Sequence, residues 1–168
     1  MRIGVAQLNA TVGDLDGNLA LAIDAYEQLV GQGVDLVAYP ELFLCGYPPR
    51  DLLLKTRFVS DLAERMNAFA EQTGPTPAVI GYVEKSGKEA GRPFYNAAAW
   101  CVEGKVANIA RKRLLPTYDV FDEARYFEPG ENSLILDHKG KRIAVTICED
   151  IWNEAGELYA TDPLKEVR

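Results

Sequence analysis

Three side chains have the types and settings that nucleophilic catalysis needs. Cys148 closes an alternating run, "RIAVTIC", and is followed at once by Glu149, Asp150, Ile151 and Trp152. A thiol delivered at the end of a strand can act as a nucleophile if a base and a positive charge reach it from elsewhere in the chain. The alternative is a small buried hydrophobe, the usual state of a free cysteine. Glu149 and Asp150 read as acids in the first turn of a short helix, and such a helix end favours the thiolate.

Glu41 follows Pro40, which keeps Tyr39 extended, so a strand runs straight up to the carboxylate. Its neighbours Leu42, Phe43, Leu44 and Cys45 are apolar. A carboxylate in an apolar pocket has its pKa raised, which suits a general base working near neutral pH; the alternative is a solvated loop acid. Lys112 stands between two arginines in "ARKRLLP". Three adjacent cations are commonly a solvated face. Strand alternation separates them, however: with Ile109 facing the core, Arg111 and Arg113 share its side, and Ala110 and Lys112 share the other. A lysine buried there needs an anionic partner, which Glu41 or the Cys148 thiolate could supply.

The elements that must bring these residues together are legible in the periodicity. "RIGVAQL" (2–8) and "VDLVAY" (34–39) read as buried strands. Between them a helical stripe (Leu19, Ile23, Tyr26, Val30) starts at a cap, Asp16 or Asn18, and ends at Gly31 and Gly33. This is a βαβ unit, expected to be parallel and right-handed. Phe58, Leu62, Met66 and Phe69 mark a second helix, and "PAVIGYV" (77–83) a third strand. "YNAAAWCV" and "VANIARKRLL" flank "EGK" as a hairpin, and "LILD" and "RIAVTI" flank "HKGK" as another. Residues 116–132 form a long polar and aromatic connection, and the weakly patterned tail from Asn153 is expected to fray. "RIGVAQL" and "RIAVTIC" suggest a faint internal repeat. The sum is α/β with about two helices and six or seven strands. In open α/β sheets ligands collect at the carboxyl ends of strands, and that rule points to Glu41 and Cys148.

Composition narrows the function classes. The 168 residues fit one domain, and the formal charge of −7 without a basic cluster argues against nucleic acid or an anionic membrane as partner. No apolar run is long enough to span a bilayer. The opening "MRIGVAQLN" turns polar too soon for a secretory signal, so a cytoplasmic location is expected. Three cysteines without CxxC spacing speak against a disulfide framework or a zinc site. The single histidine, His138, reads as a solvated turn residue, so a base for Cys148 must be something other than histidine.

Together, "AYPELFLCGYPPRDLL", "ARKRLLPTYDVFDEARYF" and "VTICEDIW" resemble the nitrilase, or carbon–nitrogen hydrolase, superfamily, which uses a Glu–Lys–Cys triad. "LPTYDVFDEARYF" and "CEDIW" are similar within it to the glutaminase domains of glutamine-dependent NAD synthetases. The resemblance implies a nitrilase-like α-β-β-α sandwich, incomplete at the C-terminus over residues 1–168, with the ATP-dependent synthetase domain absent. It assigns Glu41 as general base, Lys112 as oxyanion stabiliser and Cys148 as nucleophile. Tyr118, Glu149 and Trp152 would line the pocket for L-glutamine. No cofactor is expected in this domain, since ATP and deamido-NAD belong to the synthetase domain. That domain is the expected partner, and a homo-oligomer is expected. Two alternatives stand beside the glutaminase reading. One is hydrolysis of another amide, nitrile or carbamoyl compound. The other is an inactive fragment with a role in binding or assembly.

Overall fold

The computed structural model describes residues 1–153 and 158–167. Five strands form one sheet in the order in which they occur along the chain: β1 (Ile3–Val5), β2 (Leu36–Ala38), β3 (Ala78–Lys85), β4 (Phe94–Val102) and β5 (Lys105–Arg111). The first three run parallel, and β4 and β5 are antiparallel additions. The crossovers are α1 (Leu15–Gly31) and α2 (Phe58–Glu71), both laid on one face of the sheet. Their stripes meet the sheet through Tyr26, Leu62, Met66 and Phe69, all buried. Tyr39 stacks edge-on against Phe69 with ring centroids 5.5 Å apart.

The second face is covered by a separate hairpin, β6 (Leu134–His138) and β7 (Lys141–Val145). It places Leu134, Val145 and the following Ile147 over Val79, Ala98 and Ala110. The β4–β5 and β6–β7 turns are two-residue loops with left-handed backbone at each position, Glu103–Gly104 (φ 52° and 75°) and Lys139–Gly140 (φ 47° and 69°). That geometry matches the twist of the flanking strands. Two strands do not cover five. At the β1 edge Ile3 is 48% and Val5 69% exposed. Among the described residues no helix is long and apolar enough to cross a membrane.

Several local expectations are corrected. Helix α1 begins a turn earlier than its apolar stripe, and its cap is Asp14, whose carboxylate accepts from Gly17 N–H. Asn18 is buried instead and ties the chain before α1 to Leu44 O, because an amide can donate and accept at once. The strand "RIGVAQL" shortens to three residues and is not buried, since it lies at an edge whose outer face is open. The faint repeat has no structural counterpart: β1 is a parallel edge strand, whereas β7 belongs to the antiparallel hairpin. His138 is not a solvated turn residue. Its ring packs edge-on against Trp100, and its Nε2 lies 2.9 Å from Asp35 O. The tail does not fray where it is described: α3 (Pro163–Val167) is pinned by Glu166 to Arg113 at 2.6 Å. The part of that expectation falling on 154–157 lies outside the described residues.

Candidate active site

Glu41 sits where β2 ends. The backbone crosses β3 at Gly81 so closely that a Cβ there would lie 2.3 Å from Leu42 N and 2.5 Å from Pro40 O. Only a glycine admits that approach. Directly after Glu41 the chain turns through Leu42 in the left-handed region (φ 51°), which an L side chain adopts only under constraint. Burial of Leu42, Phe43, Leu44 and Cys45 supplies the constraint. These apolar neighbours point into the core. They do not make the apolar pocket around Glu41 that the sequence suggested, because the carboxylate faces polar partners instead.

Those partners come from β4 and the end of β5. Asn96 on β4 lies opposite Lys112, whose N–H donates to Asn96 O at 2.8 Å, and both side chains fall on the hairpin-covered face with Ala98 and Ala110. Lys112 is 0% exposed. Its ammonium donates to Glu41 Oε1 at 2.7 Å and to the Glu123 carboxylate at 2.8 Å. Asn96 Nδ2 donates to the same two acids, at 2.6 Å to Glu41 Oε1 and 3.3 Å to Glu123 Oε2. From its far side Glu123 accepts from Tyr47 Oη at 3.2 Å. One ammonium thus serves two carboxylates, and its third N–H is left for another acceptor. Burial acts to lower the Lys112 pKa, but Glu41 and then Glu123 outweigh it, so the net shift is upward and the lysine stays charged. Burial raises the pKa of Glu123.

Cys148 opens a single 3-10 turn, residues 148–151, after the extended Ile147. Its own backbone is left-handed (φ 46°), and it is exposed, whereas Cys45 and Cys101 are buried. Asp150 holds this turn in place. One carboxylate oxygen accepts from Arg113 N–H and Leu114 N–H, both at 2.9 Å, and the other from Ile147 N–H at 3.0 Å. That single side chain joins the Cys148 turn to the segment carrying Lys112. The turn does not favour the thiolate, contrary to expectation. Partial burial of the sulfur, then the negative charge of Glu41, push the thiol up to about 11, with Lys112 opposing. The resting group is a neutral thiol next to a carboxylate. A cavity of about 340 Å³ beside them is lined by Glu41, Gly81, Ala98, Ile147 and Cys148, among others.

Glu149 is 3% exposed and held by two phenols. Tyr118 Oη donates at 2.9 Å to Oε2 and 3.0 Å to Oε1, and Tyr159 Oη donates at 2.9 Å to Oε1. Tyr118 and Glu149 are therefore brought together. Trp152 is not gathered with them, being 66% exposed. Among the described residues no three His, Cys, Asp or Glu side chains gather to hold a metal.

Sequence reasoning missed Glu123, Asn96, Asp150 and Tyr159 as parts of this centre. Glu123 lay inside "FDEARYF", a segment noted for its resemblance but not for its acid. Asn96 carried a readable signal: it is the lone polar residue of "FYNAAAWCV", and a polar side chain inside an otherwise apolar strand needs a buried partner.

The carbon-nitrogen hydrolase family model matches residues 2–157. The chain belongs to the carbon-nitrogen hydrolase family. Among its relatives, the glutamine-dependent NAD(+) synthetase of Thermotoga maritima is 44% identical over 156 residues, which are 91% of this chain and 26% of that protein. That of Synechocystis is 39% identical over 98% of this chain and 31% of its own. The structure of the Acinetobacter baumannii synthetase superimposes with a TM-score of 0.84 at 35% identity, covering 91% of this chain and 28% of that one. An amidase of the nitrilase superfamily from Nesterenkonia superimposes at 0.76 with 26% identity, over 90% of this chain and 57% of the amidase. A variant of that amidase carries acrylamide added at its active-site cysteine. The carbon-nitrogen hydrolase fold is thus present as part of a nitrilase sandwich: one sheet with its helix layer and the first hairpin of the second. The chain spans between a quarter and a third of the NAD synthetases it matches.

Proposed function

We propose that this chain carries a glutaminase centre in which Cys148 is the nucleophile, Glu41 the base and Lys112 the oxyanion donor. The observation that carries the reading is the fully buried Lys112 bonded to Glu41, with that carboxylate and the exposed Cys148 lining one cavity. In the first step Glu41 takes the thiol proton as sulfur bonds to the side-chain amide carbon of L-glutamine. The oxyanion falls to the uncommitted N–H of Lys112 and the backbone N–H of Glu149; one such donor contributes about 3 kcal/mol. Glu41 returns its proton to nitrogen, the C–N bond breaks, and ammonia leaves a thioester. Water, deprotonated by Glu41, attacks the thioester; the C–S bond breaks, and glutamate and the thiol are released. Because the resting thiol is neutral, proton transfer accompanies attack and no standing thiolate is needed.

Glutamine is favoured over other amides by the relatives, several of which are glutamine-dependent NAD synthetases, at higher identity than the amidase. Glu149, buried without a cationic partner among the described residues, suits the ammonium of an amino acid, with Tyr118 beside it. The ammonia would serve synthesis of NAD from deamido-NAD, with ATP and deamido-NAD held by a separate synthetase domain. A second reading, a non-catalytic piece used in assembly, is favoured by the open face at Ile3 and Val5. Ammonia release from L-glutamine decides between them. The parent chain is expected to release ammonia and glutamate in equal amounts, and Cys148→Ala to fall to background. Release at the parent rate by Cys148→Ala would refute the glutaminase reading, and absence of release by both would favour assembly.

A further inference from the structure

Glu41 presents two oxygens, and its strong donors do not divide between them. Lys112 Nζ and Asn96 Nδ2 both converge on Oε1, at 2.7 and 2.6 Å. We propose that Asn96 is a positioning residue for the base: with Lys112 it pins Glu41 by Oε1, so that Oε2 is the oxygen presented to the Cys148 thiol. The inference rests on the proton transfer from Cys148 to Glu41 described above and adds to it the group that aims the carboxylate.

Three observations support it. Asn96 is 1% exposed, so its rotamer is fixed by packing in the middle of β4. Its amide orientation is decided by its surroundings, because a flipped amide would set a carbonyl oxygen against two carboxylates. The orientation it adopts leaves Asn96 Oδ1 buried without a hydrogen-bond partner among the described residues. An asparagine kept for packing would have both ends satisfied; here the donor end is used and the acceptor end left empty. The donor is also neutral. A second cation at this point would hold Glu41 more firmly in its ionised form and make it a weaker proton acceptor, whereas an amide fixes the geometry at smaller cost to basicity. Lys112 alone could not set the geometry, since its ammonium is shared with Glu123 and a single donor leaves the carboxylate free to pivot about that bond.

The test uses the whole chain and a glutamine analogue with an electrophilic chloroketone in place of the side-chain amide, with modification of each cysteine followed by mass spectrometry. Asn96→Leu, of similar shape but without a donor, is expected to lower the maximal rate of Cys148 modification by about 10- to 100-fold, the scale for a misplaced reacting group. The analogue's half-saturating concentration should stay unchanged. The acid limb of the pH profile should move to higher pH, because a carboxylate that loses a donor becomes more basic. Asn96→Ser, which retains one hydroxyl donor, should recover part of the rate and carries the comparison if the leucine variant does not fold. A leucine variant modified at the parent rate, while Glu41→Gln is slowed, would overturn the positioning role and leave the base intact. Slowing accompanied by equal labelling of Cys45 and Cys101 in both Asn96 variants would show a merely structural role and overturn it too. Parent-rate modification of Glu41→Gln would refute the base itself, and the inference with it.

Discussion

Replacing Lys112 with methionine separates the electrostatic from the packing role of the site. The side chain keeps most of its length and apolar stem, so little cavity is created. What is lost is the ammonium that lies 2.7 Å from Glu41 and 2.8 Å from Glu123 in a place that is 0% exposed. Removing one partner of a buried ionic group costs about 3–5 kcal/mol, since the remaining charges lose their compensation but not their desolvation. For a domain of this size that lowers the melting temperature by on the order of 10 °C. The sign of the pH dependence follows from Glu123. Burial already raises its pKa, and without Lys112 it rises further. The folded state then binds more protons than the unfolded one from about pH 4.3 upward, so stability falls as pH rises through that window. The gap between parent and Lys112→Met should therefore be widest near pH 8 and narrow towards pH 5. Thermal unfolding at the two pH values reads it directly. A gap below about 1 kcal/mol at pH 8, or an equal gap at both pH values, would refute the claim that the buried Glu123 and the partly buried Glu41 depend on this ammonium.

The neutral thiol and the crossing at Gly81 give two further expectations. With the Cys148 thiol at about 11, roughly 0.1% is thiolate at pH 8, against about a quarter of an ordinary cysteine, and higher intrinsic nucleophilicity restores about tenfold. Alkylation by 2-iodoethanol, which offers no amide to the site, should run about 20-fold slower than for an ordinary cysteine and rise about tenfold per pH unit up to pH 10; a plateau by pH 8 would contradict the raised pKa. Gly81→Ala places a methyl against backbone that cannot yield, 2.3 Å from Leu42 N, and is expected to cost at least about 1–3 kcal/mol and to abolish ammonia release by displacing Glu41. An alanine variant with the parent's rate and melting temperature would show that the close approach is dispensable.

The sequence announced the ends of the relay more clearly than its middle. Strand periodicity, Pro40 and the placement of Cys148 at a strand end made both rim positions readable, and alternation along β5 put Lys112 on the side away from Ile109, where it is found fully buried. What stayed hidden depends on contacts between distant segments. Glu123 reaches Lys112 only because the connection after Pro116 folds back, with Glu123 N–H donating to Pro116 O at 3.1 Å. Asp150 was read as a dipole-complementing acid, which is the local preference of the residue type. In the structure its oxygens serve two backbone N–H groups more than 30 residues away as well as its own turn. The direction of the Cys148 shift was misread for a related reason: a helix start within the same segment favours the thiolate, but partial burial of the sulfur, and then Glu41, 107 positions earlier in the chain, override it.

The closed part and the open part of this molecule are distinct. Lys112, Asn96 and Glu123 are all at most 5% exposed, and the hairpin that covers them is tied to the sheet by Asp150 on one side and by contacts to Asp35 from His138 and Lys139 on the other. The exposed apolar residues Ile3 and Val5 lie at the opposite edge, on β1. The charged relay is therefore held by the end of β2, strands β4 and β5, the connection after them and the hairpin, while the exposed side chains of β1 take no part in it. Covering that edge would add apolar burial at about 25 cal/mol per Å², and so raise global stability. It would leave the pairing of Lys112 with its two carboxylates unchanged. The phenols on Glu149 come from segments on either side of the Cys148 turn, at Tyr118 and Tyr159, and under the proposed function they bear on ligand discrimination, apart from both. Changes there should alter what is bound without altering how the thiol proton is taken.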